Sequence, residues 1–348
     1  MIRKCVFWLL FSLCLPVFGQ PRHEYFTVEE NVLIKYTGSE QSVIIPDTLG
    51  IKAIGTRAFA LSNIVSVTLP AGVETIEDWA FWGCTNLQDI TLPEGLTRIG
   101  DWAFLGCTNL RRVLLPDSLA QIGDWTFGNC PSLTGIEAGE KNPVFTALDG
   151  VLFDKTGEIL TAYPGGKPEP EYTVPAEVTL IRNLAFSGAV NLVTVRLSAN
   201  IGYIGNLAFY GCTSLTALEV DPENPAYRSI GGVLFDKAGT TLLAYPGGNK
   251  NPVCVIPEGT EAIGDRAFYG CTAFNSVSIP ASVVRIGQEA FQGCTALESL
   301  ALPKTVTDIG DRAFYGCSAL HSIQLFRETS LGEEVFGSVP AQPAYTDS

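Results

Sequence analysis

The sequence repeats a short phenylalanine-containing segment, Ala-Phe-x-Gly-Cys or a close variant, at an interval of 22 or 23 residues. The phenylalanines of the series are Phe59, Phe81, Phe104, Phe127, Phe186, Phe209, Phe268, Phe291, Phe314 and Phe336. Only the intervals after Phe127 and after Phe209 differ, and both are 59 residues. A period in the twenties is typical of one supersecondary unit copied many times, whose copies bury their apolar faces against each other. The chain is therefore predicted to form a solenoid, which offers an extended surface and not a central pocket.

One repeat, residues 87–107, indicates how the unit is built. Its first six residues alternate between apolar and polar, which is typical of a short half-buried strand. Pro93 cannot donate to a sheet ladder, so the strand is predicted to end there. A short helix is predicted next, with Asp101 capping its free N–H groups and Phe104 on its buried face. The capping position is held in other repeats by Asp78, Asp124, Asp265, Asp311, Thr56, Asn183, Gln288 and Glu333.

The consensus LxxIxLPxxLxxIGxxAFxGC over residues 43–337 resembles the BspA-like, or Treponema pallidum-type, class of leucine-rich repeats. This resemblance implies a right-handed α/β solenoid with one short strand and one short helix in each repeat of ~23 residues. The segment VLIKYTG at residues 32–38 is similar to the opening cap of such proteins. We therefore expect an N-terminal cap at residues 20–50, a solenoid at 51–337 and a flexible tail at 338–348.

Each 59-residue interval contains a longer unit, at about residues 138–170 and 220–252. The two copies lie 82 residues apart, and each predicts a β-hairpin. In the first copy, residues 151–153 and 159–163 would pair across a turn closed by Gly157, which can adopt a positive φ. The hairpins could project as a recognition site, or each unit could be an enlarged repeat packed along the solenoid. The near identity of the copies favours the second alternative.

The first 19 residues are typical of a secretory signal peptide. Arg3 and Lys4 precede an apolar run, and residues 17–19 form a suitable cleavage site. A lipoprotein anchored at Cys14 is the alternative, but the small residue expected before such a cysteine is lacking. No later apolar stretch approaches the ~20 residues of a spanning helix. The protein is therefore predicted to be exported, to the cell surface or the extracellular space, with the periplasm as an alternative.

Removal of the two positive charges in this segment takes the net charge from −14 to −16. Binding to nucleic acid requires clustered Lys and Arg, so this class of partner is excluded. Anionic membrane surfaces are disfavoured for the same reason.

The chain has ten cysteines, which in an exported protein often form disulfides. Seven of them hold one position of the repeat: Cys84, Cys107, Cys130, Cys212, Cys271, Cys294 and Cys317. Of the rest, Cys5 and Cys14 lie in the predicted signal peptide and Cys254 lies on a predicted strand. Stacked repeats would place the seven in a buried ladder, so free thiols in the core are predicted.

Convergent groups of the kind that catalysis requires are not found in the sequence. The chain has two histidines, His23 and His321, and neither has enough ligands nearby for a metal cluster. Asp154 and Asp236, in the long units, lack the companion oxygens of a calcium loop. We therefore predict no enzymatic activity, no cofactor and no metal.

The two outer faces differ in their residue types. The outward positions of the strands are small and rich in hydroxyl groups, without any aromatic side chain. On the opposite side, Trp79, Trp102 and Trp125 hold one position in three consecutive repeats, with Trp82 and Leu105 beside them. Exposed apolar patches of this kind usually mark an interaction, so these five residues are the candidate partner-binding site. The alternative is that flanking turns or the first long unit cover the tryptophans.

The leading hypothesis is a secreted or surface-displayed bacterial scaffold that binds and does not catalyse. The family resemblance implies protein partners, such as host matrix proteins, host cells or other bacteria. A glycan-binding accessory protein of the cell surface is the second hypothesis, since aromatic rings also stack on sugars. A purely structural component of a surface assembly is the third.

Overall fold

The repeats form the successive coils of a solenoid in a computed structural model, which describes residues 23–340 and 344–346. The predicted signal peptide, including Cys5 and Cys14, lies outside the described residues, as does the side chain of His23. Two short 3-10 helices occur in the described part, at His23–Tyr25 and Asp47–Leu49, and the other regular elements there are β-strands numbered in chain order.

The first ladder contains one strand from each of thirteen coils in the described residues. Its members are β3 (Ser42–Ile44), β5 (Ser66–Thr68), β7 (Asp89–Thr91), β9 (Arg112–Leu115), β11 (Gly135–Ala138), β15 (Glu171–Thr173), β17 (Thr194–Leu197), β19 (Ala217–Val220), β23 (Val253–Val255), β25 (Ser276–Ser278), β27 (Ser299–Ala301), β29 (Ser322–Phe326) and β31 (Ala344–Thr346). Hydrogen-bonded neighbours in this ladder are parallel, with like repeat positions paired, such as Ser42 with Ser66. The last strand lies within the segment predicted as a tail.

The second ladder also has thirteen strands in the described residues. Its members are β2 (Val32–Tyr36), β4 (Ala53–Ile54), β6 (Thr75–Ile76), β8 (Arg98–Ile99), β10 (Gln121–Ile122), β14 (Ile159–Ala162), β16 (Leu180–Ile181), β18 (Tyr203–Ile204), β22 (Thr241–Ala244), β24 (Ala262–Ile263), β26 (Arg285–Ile286), β28 (Asp308–Ile309) and β30 (Ser330–Leu331). Two ladders of parallel strands thus run along the solenoid. The second ladder is interrupted between β10 and β14 and between β18 and β22, where the long units lie, and the first between β7 and β9, β11 and β15, and β19 and β23.

The prediction of a short helix in each repeat is wrong. The segment after the second-ladder strand, called the turn segment below, contains a residue in the left-handed region. In the tryptophan coils this residue is Trp79, Trp102 or Trp125, with φ of 55°, 55° and 64°. An α-helix requires negative φ at every residue, so one left-handed residue interrupts it.

Stacking between coils explains why the turn segment is not helical. The N–H groups of Trp79, Phe81 and Gly83 donate to carbonyl oxygens of the next coil at 2.8–2.9 Å. The N–H groups of the residues between them donate to carbonyl oxygens three residues earlier in their own coil. Every second N–H group therefore bonds across coils, a pattern that a helix, whose bonds are all internal, cannot provide.

The predicted caps also act between coils. Asp78 accepts from the backbone N–H of Asp101 at 2.9 Å, and Asp101 accepts from that of Asp124 at 2.8 Å. The same bond joins Asn183 to the N–H of Asn206 at 2.8 Å. The capping residues therefore form a side-chain ladder along the turn segments, in place of helix N-caps.

Replacing Asp101 with alanine is expected to lower the free energy of unfolding by about 1 kcal/mol, because the N–H of Asp124 loses its acceptor. The Asp101→Asn variant should lose less than half as much, since an asparagine accepts the same bond at position 183. Urea denaturation of both variants measures the difference. Equal losses in the two variants would show that the charge, and not the hydrogen bond, stabilises the ladder.

The core lies between the ladders and the turn segments, and aromatic rings form its axis. Ring centroids of neighbouring coils lie 4.7–5.7 Å apart in three stacked series. The series are Tyr36–Phe59–Phe81–Phe104–Phe127, Tyr163–Phe186–Phe209 and Tyr245–Phe268–Phe291–Phe314–Phe336. A tyrosine begins each series, at the N-terminal coil and at each long unit.

The repeat cysteines are free and buried, as predicted. The Cys107 thiol donates to the carbonyl oxygen of Phe81 at 3.2 Å, and most of the other repeat thiols make the equivalent contact one coil back. The prediction of a buried thiol ladder is confirmed for the described residues.

Each long unit adds a hairpin to the second ladder. The first hairpin is β12 (Phe145–Leu148) and β13 (Val151–Asp154), and the second is β20 (Tyr227–Ile230) and β21 (Val233–Asp236). In each unit the second hairpin strand pairs antiparallel with the ladder strand that follows, β14 or β22. At the N-terminus, β1 (Phe26–Glu29) pairs antiparallel with β2. The units are thus joined to the ladder, which agrees with the interpretation as enlarged repeats.

Candidate functional site

The tryptophan stripe, defined as Trp79, Trp102 and Trp125, lies on the turn segments of three adjacent coils. All three side chains are half-buried, and so is the neighbouring Leu105, whereas Trp82 is 36% exposed. The left-handed backbone at the stripe directs these side chains away from the phenylalanine series of the core. The structure therefore brings the five predicted residues together on one surface, neither fully covered nor fully open.

The rings of the stripe contact each other directly. The centroids of Trp79 and Trp102 are 4.7 Å apart with nearly parallel planes, at 4°. Trp125 meets Trp102 edge-on, at 5.6 Å and 74°. Offset stacks and edge contacts are the favoured arrangements of aromatic pairs, so the stripe is a preformed surface.

A cation that sequence reasoning missed lies at the N-terminal end of the stripe. The guanidinium carbon of Arg57 is 4.9 Å from the ring centroid of Trp79, within cation–π distance. Arg57 holds the tryptophan position of the preceding coil and also has a positive φ, of 59°. The repeat register is the signal that would have identified it.

The equivalent position becomes charged towards the C-terminus. Arg266 pairs with Glu289 at 2.7 Å, and Arg312 pairs with Glu334 at 2.6 Å, in each case between adjacent coils. The aromatic surface is therefore a local property of three coils and not a general feature of the solenoid.

The exposed side of the first ladder is mainly polar, and several of its charges are paired. Arg196 bonds Glu171 at 2.7 Å and Glu219 at 3.0 Å across three adjacent strands. Its exposed large apolar side chains in the described residues are Ile44, Leu114 and the pair Val253 and Val255 on one strand, so the largest group there has two members. Scattered apolar residues are ordinary on protein surfaces, so this side has a weaker recognition signal than the stripe.

Reactive groups are not brought together in the described residues. That part of the chain contains no group of three His, Cys, Asp or Glu side chains placed to hold a metal ion. Burial raises the pKa of the ladder thiols, to about 12 for Cys130, so they are protonated at neutral pH and are poor nucleophiles. The ring of His321 contacts the carbonyl oxygen of Ala319 at 3.0 Å. Within residues 23–340 and 344–346, no helix has the length and apolar character to cross a membrane.

A cleft of about 340 Å³ lies beside the second long unit and was not predicted from the sequence. Its lining includes Leu207, Phe209, Tyr210, Tyr245, Asp265 and Tyr269. Beside the first long unit the equivalent space is divided into an inner cavity of about 20 Å³ and a more open groove of about 400 Å³, both lined by Arg182. The sequence does contain a signal for the difference between the two cavities. When the two units are aligned at their 82-residue offset, Arg182 in the first corresponds to Gly264 in the second.

Comparison with known proteins gives a consistent fold. The family model of the BspA type leucine rich repeat region matches residues 30–150, 169–246 and 249–342. The chain is similar to a solved leucine-rich repeat protein from Eubacterium ventriosum, with 24% identity, 83% of this chain and 88% of that chain covered, and a TM-score of 0.52. It is also similar to the pneumococcal vaccine antigen PcpA, with 22% identity, coverage of 92% and 78%, and a TM-score of 0.50.

A third solved structure is a leucine rich cell surface protein from Faecalibacterium prausnitzii, with 23% identity, 93% of both chains covered and a TM-score of 0.49. At these identities the first two likenesses show the fold alone. Among curated proteins, none matches the sequence.

Proposed function

Because the chain belongs to the family of BspA-type leucine-rich-repeat proteins, we propose that it is an exported, non-catalytic scaffold that binds a protein partner at the bacterial surface. The tryptophan stripe is the observation that carries this proposal. It combines three contacting aromatic rings with the Arg57 guanidinium on a preformed surface. Tryptophan and arginine are enriched among the residues that contribute most to protein–protein binding.

The charge of the molecule supports the choice of partner class. The net charge of −14, or −16 without the predicted signal peptide, disfavours nucleic acid and anionic lipid. Host matrix proteins, host cells and other bacteria are the partners that the proposal names. The predicted signal peptide supports export, and display at the surface is part of the same proposal.

The test is the triple variant Trp79→Ser, Trp102→Ser and Trp125→Ser. Its affinity is expected to fall at least about tenfold for the matrix protein or cell type that retains the labelled wild-type protein. A tenfold loss corresponds to about 1.4 kcal/mol, and the loss of one aromatic anchor can exceed that. Binding to a panel of purified matrix proteins, to polysaccharides and to whole cells is measured by saturation titration. Because the rings are half-buried, the melting temperature is measured in parallel.

A matched control is available at the same backbone position. The double variant Arg312→Ser and Glu334→Ser changes two left-handed residues of the C-terminal coils, away from both the stripe and the second long unit, and should keep wild-type binding. If the tryptophan variant retains full binding, the stripe is not the partner site. Saturable binding to polysaccharides alone would support the glycan hypothesis instead, since parallel indole rings also stack on sugar faces.

A further inference from the structure

The two long units interrupt the stack of turn segments at equivalent places. In each unit the chain passes from Tyr163 or Tyr245 directly into Pro-Gly-Gly, without the turn segment of an ordinary repeat. The coil before the unit and the coil after it therefore face each other across a gap on this side of the solenoid. The two gaps are called the first and second clefts.

Arg182 fills the first cleft. Its guanidinium donates to Asp124 at 2.5 Å and to the carbonyl oxygen of Ile122 at 3.2 Å. The amide of Asn183 also donates to Asp124, at 3.1 Å. These bonds join the two walls. Arg182 lines both an inner cavity of about 20 Å³ and an open surface groove of about 400 Å³, so the space at the first cleft is divided.

The second cleft lacks these groups. At the 82-residue offset, Gly264 replaces Arg182 and Asn206 replaces Asp124, so neither the bridging cation nor its carboxylate is present. The cavity there is about 340 Å³, within the range of about 300–1,000 Å³ that is typical of ligand pockets. Phe209 is half-buried at the cleft, whereas its counterpart Phe127 is buried.

Unpaired backbone groups line both walls of the second cleft. In the preceding coil, the N–H groups of Leu184, Phe186 and Gly188 donate to the next coil at 2.8–3.1 Å. The corresponding donors at the cleft are the N–H groups of Leu207, Phe209 and Gly211, and within the described residues none of them has a hydrogen-bond partner.

The opposite wall presents acceptors. The carbonyl oxygens of Asp265 and Tyr269 receive no hydrogen bond within the described residues. The carbonyl oxygen of Ala267, which lies between them in the sequence, accepts from the N–H of Tyr245 at 2.8 Å. Donors on one wall and acceptors on the other, each at alternate residues, match the two edges of a polypeptide main chain. The cleft thus has the hydrogen-bonding pattern of a missing coil.

The side chains of the cleft favour the same class of ligand. Arg266 pairs with Glu289 at 2.7 Å, and Asp265 accepts from the N–H of Gln288 at 2.9 Å, so both charged side chains of this wall are held by the following coil. The lining near Phe209 and Tyr245 is aromatic and would accept an apolar side chain, as each ordinary coil provides with its phenylalanine.

We propose that the second cleft binds a short peptide segment of a partner protein, with its main chain between the two walls and an apolar or aromatic side chain against Phe209 and Tyr245. This site lies in other coils than the tryptophan stripe and does not depend on it. The proposal therefore adds a second, sequence-selective contact to the molecule.

The probe is a peptide with the sequence of residues 311–316, Asp-Arg-Ala-Phe-Tyr-Gly, blocked at both ends. This is the turn segment that an ordinary coil would place in the gap. We expect saturable binding to the mature protein below about 1 mM. Amide hydrogen exchange should slow at residues 206–211, where the donors are free. A peptide with alanine in place of its phenylalanine should bind at least about tenfold more weakly, because the aromatic contact is lost.

Two variants close the cleft with residues that the first unit already uses. The double variant Asn206→Asp and Gly264→Arg recreates the bridge, and Leu207→Trp copies Trp125 at the same left-handed position. A side chain at position 264 approaches the carbonyl oxygen of Leu242, so Leu207→Trp is the independent check if the double variant folds poorly. Each folded variant should bind the peptide at least about tenfold more weakly, and Trp79→Ser should bind it like wild type.

The peptide site is overturned if the peptide shows no saturable binding, or if it binds wild type and both closed variants equally well. It is also overturned if amide hydrogen exchange at residues 206–211 slows when a maltooligosaccharide is added but not when the peptide is added. Self-association of the wild type that Leu207→Trp abolishes would assign the cleft to a second copy of this chain. Loss of peptide binding with retained partner binding would leave the tryptophan stripe proposal intact, so the two proposals fail separately.

Discussion

Replacing Asn142 with aspartate is expected to lower the free energy of unfolding by about 3–5 kcal/mol, although the two side chains have nearly the same shape. Asn142 is fully buried in the first long unit. Its amide nitrogen donates to the carbonyl oxygens of Pro116 and Leu119 at 2.8 and 2.9 Å. Its amide oxygen accepts from the N–H groups of Val144 and Phe145 at 2.9 and 2.8 Å. An aspartate cannot donate, so two buried carbonyl oxygens would face a carboxylate oxygen without a proton between them.

Chemical denaturation of the purified variant measures the effect. Asn224 makes the same four contacts in the second long unit, so Asn224→Asp should lose a similar amount. Asn200 is the control, because it is exposed and donates one bond, to Ala176 at 2.8 Å, so Asn200→Asp should cost less than about 1 kcal/mol. The loss at Asn142 should shrink at acidic pH, where a protonated carboxyl can donate. A loss below about 1 kcal/mol at neutral pH would contradict the assignment of Asn142 as the buried connection between the long unit and the preceding coil.

The stability of the protein is expected to fall steeply between about pH 8.5 and 10, because eight buried thiols ionise only after unfolding. Burial raises the pKa of all eight, to about 12 for Cys212, Cys271 and Cys317 and to about 11 for Cys254. In the unfolded chain a thiol has a pKa of about 8.5. Below that value both states hold the proton and the thiols make stability independent of pH. Above it the unfolded chain releases protons that the folded chain keeps, so unfolding becomes more favourable as the pH approaches the folded pKa.

The slope of stability against pH is the quantity to measure. Each thiol contributes up to about 1.4 kcal/mol per pH unit once the unfolded form is ionised. Denaturation midpoints at several pH values between about 8 and 9 give the summed slope, in a range where unfolded tyrosines, with a pKa of about 10, are still mostly protonated. Cys107→Ser is the matched variant, since a serine can still donate to the Phe81 carbonyl oxygen but does not titrate there. The variant should show a shallower slope by one thiol, and a flat profile in the wild type would mean that the thiols are already accessible to solvent.

Much of the fold could be predicted from the repeat spacing. The intervals between phenylalanines identify the coils. The repeat cysteines stand three residues after these phenylalanines, as Cys107 does after Phe104, and they enter the core in the same register. The pairing of like positions, such as Ser42 with Ser66, follows because parallel strands in adjacent coils are one repeat apart. The helix prediction failed because Asp101 and Phe104 fit a helical face equally well. The sequence around Trp102 contains nothing that indicates its left-handed backbone.

The tryptophan stripe was predicted as a set of residues but not as a surface with a defined geometry. Its members share a repeat position, which any periodic fold would bring to one side. Their half-burial, the parallel stack of Trp79 on Trp102 and the cation beside them depend on contacts between coils. The second cleft depends on such contacts even more, since it exists only where Arg182 has no counterpart.

The sequence alone therefore determined the repeat, its register and which side chains enter the core, because these follow from the periodic order of apolar residues within one coil. The tertiary structure decided whether the turn segment is a helix or a ladder, how far the tryptophans are exposed and which cleft is open. Those outcomes depend on hydrogen bonds and side-chain volumes shared between neighbouring coils, for which the pattern of a single repeat contains no information.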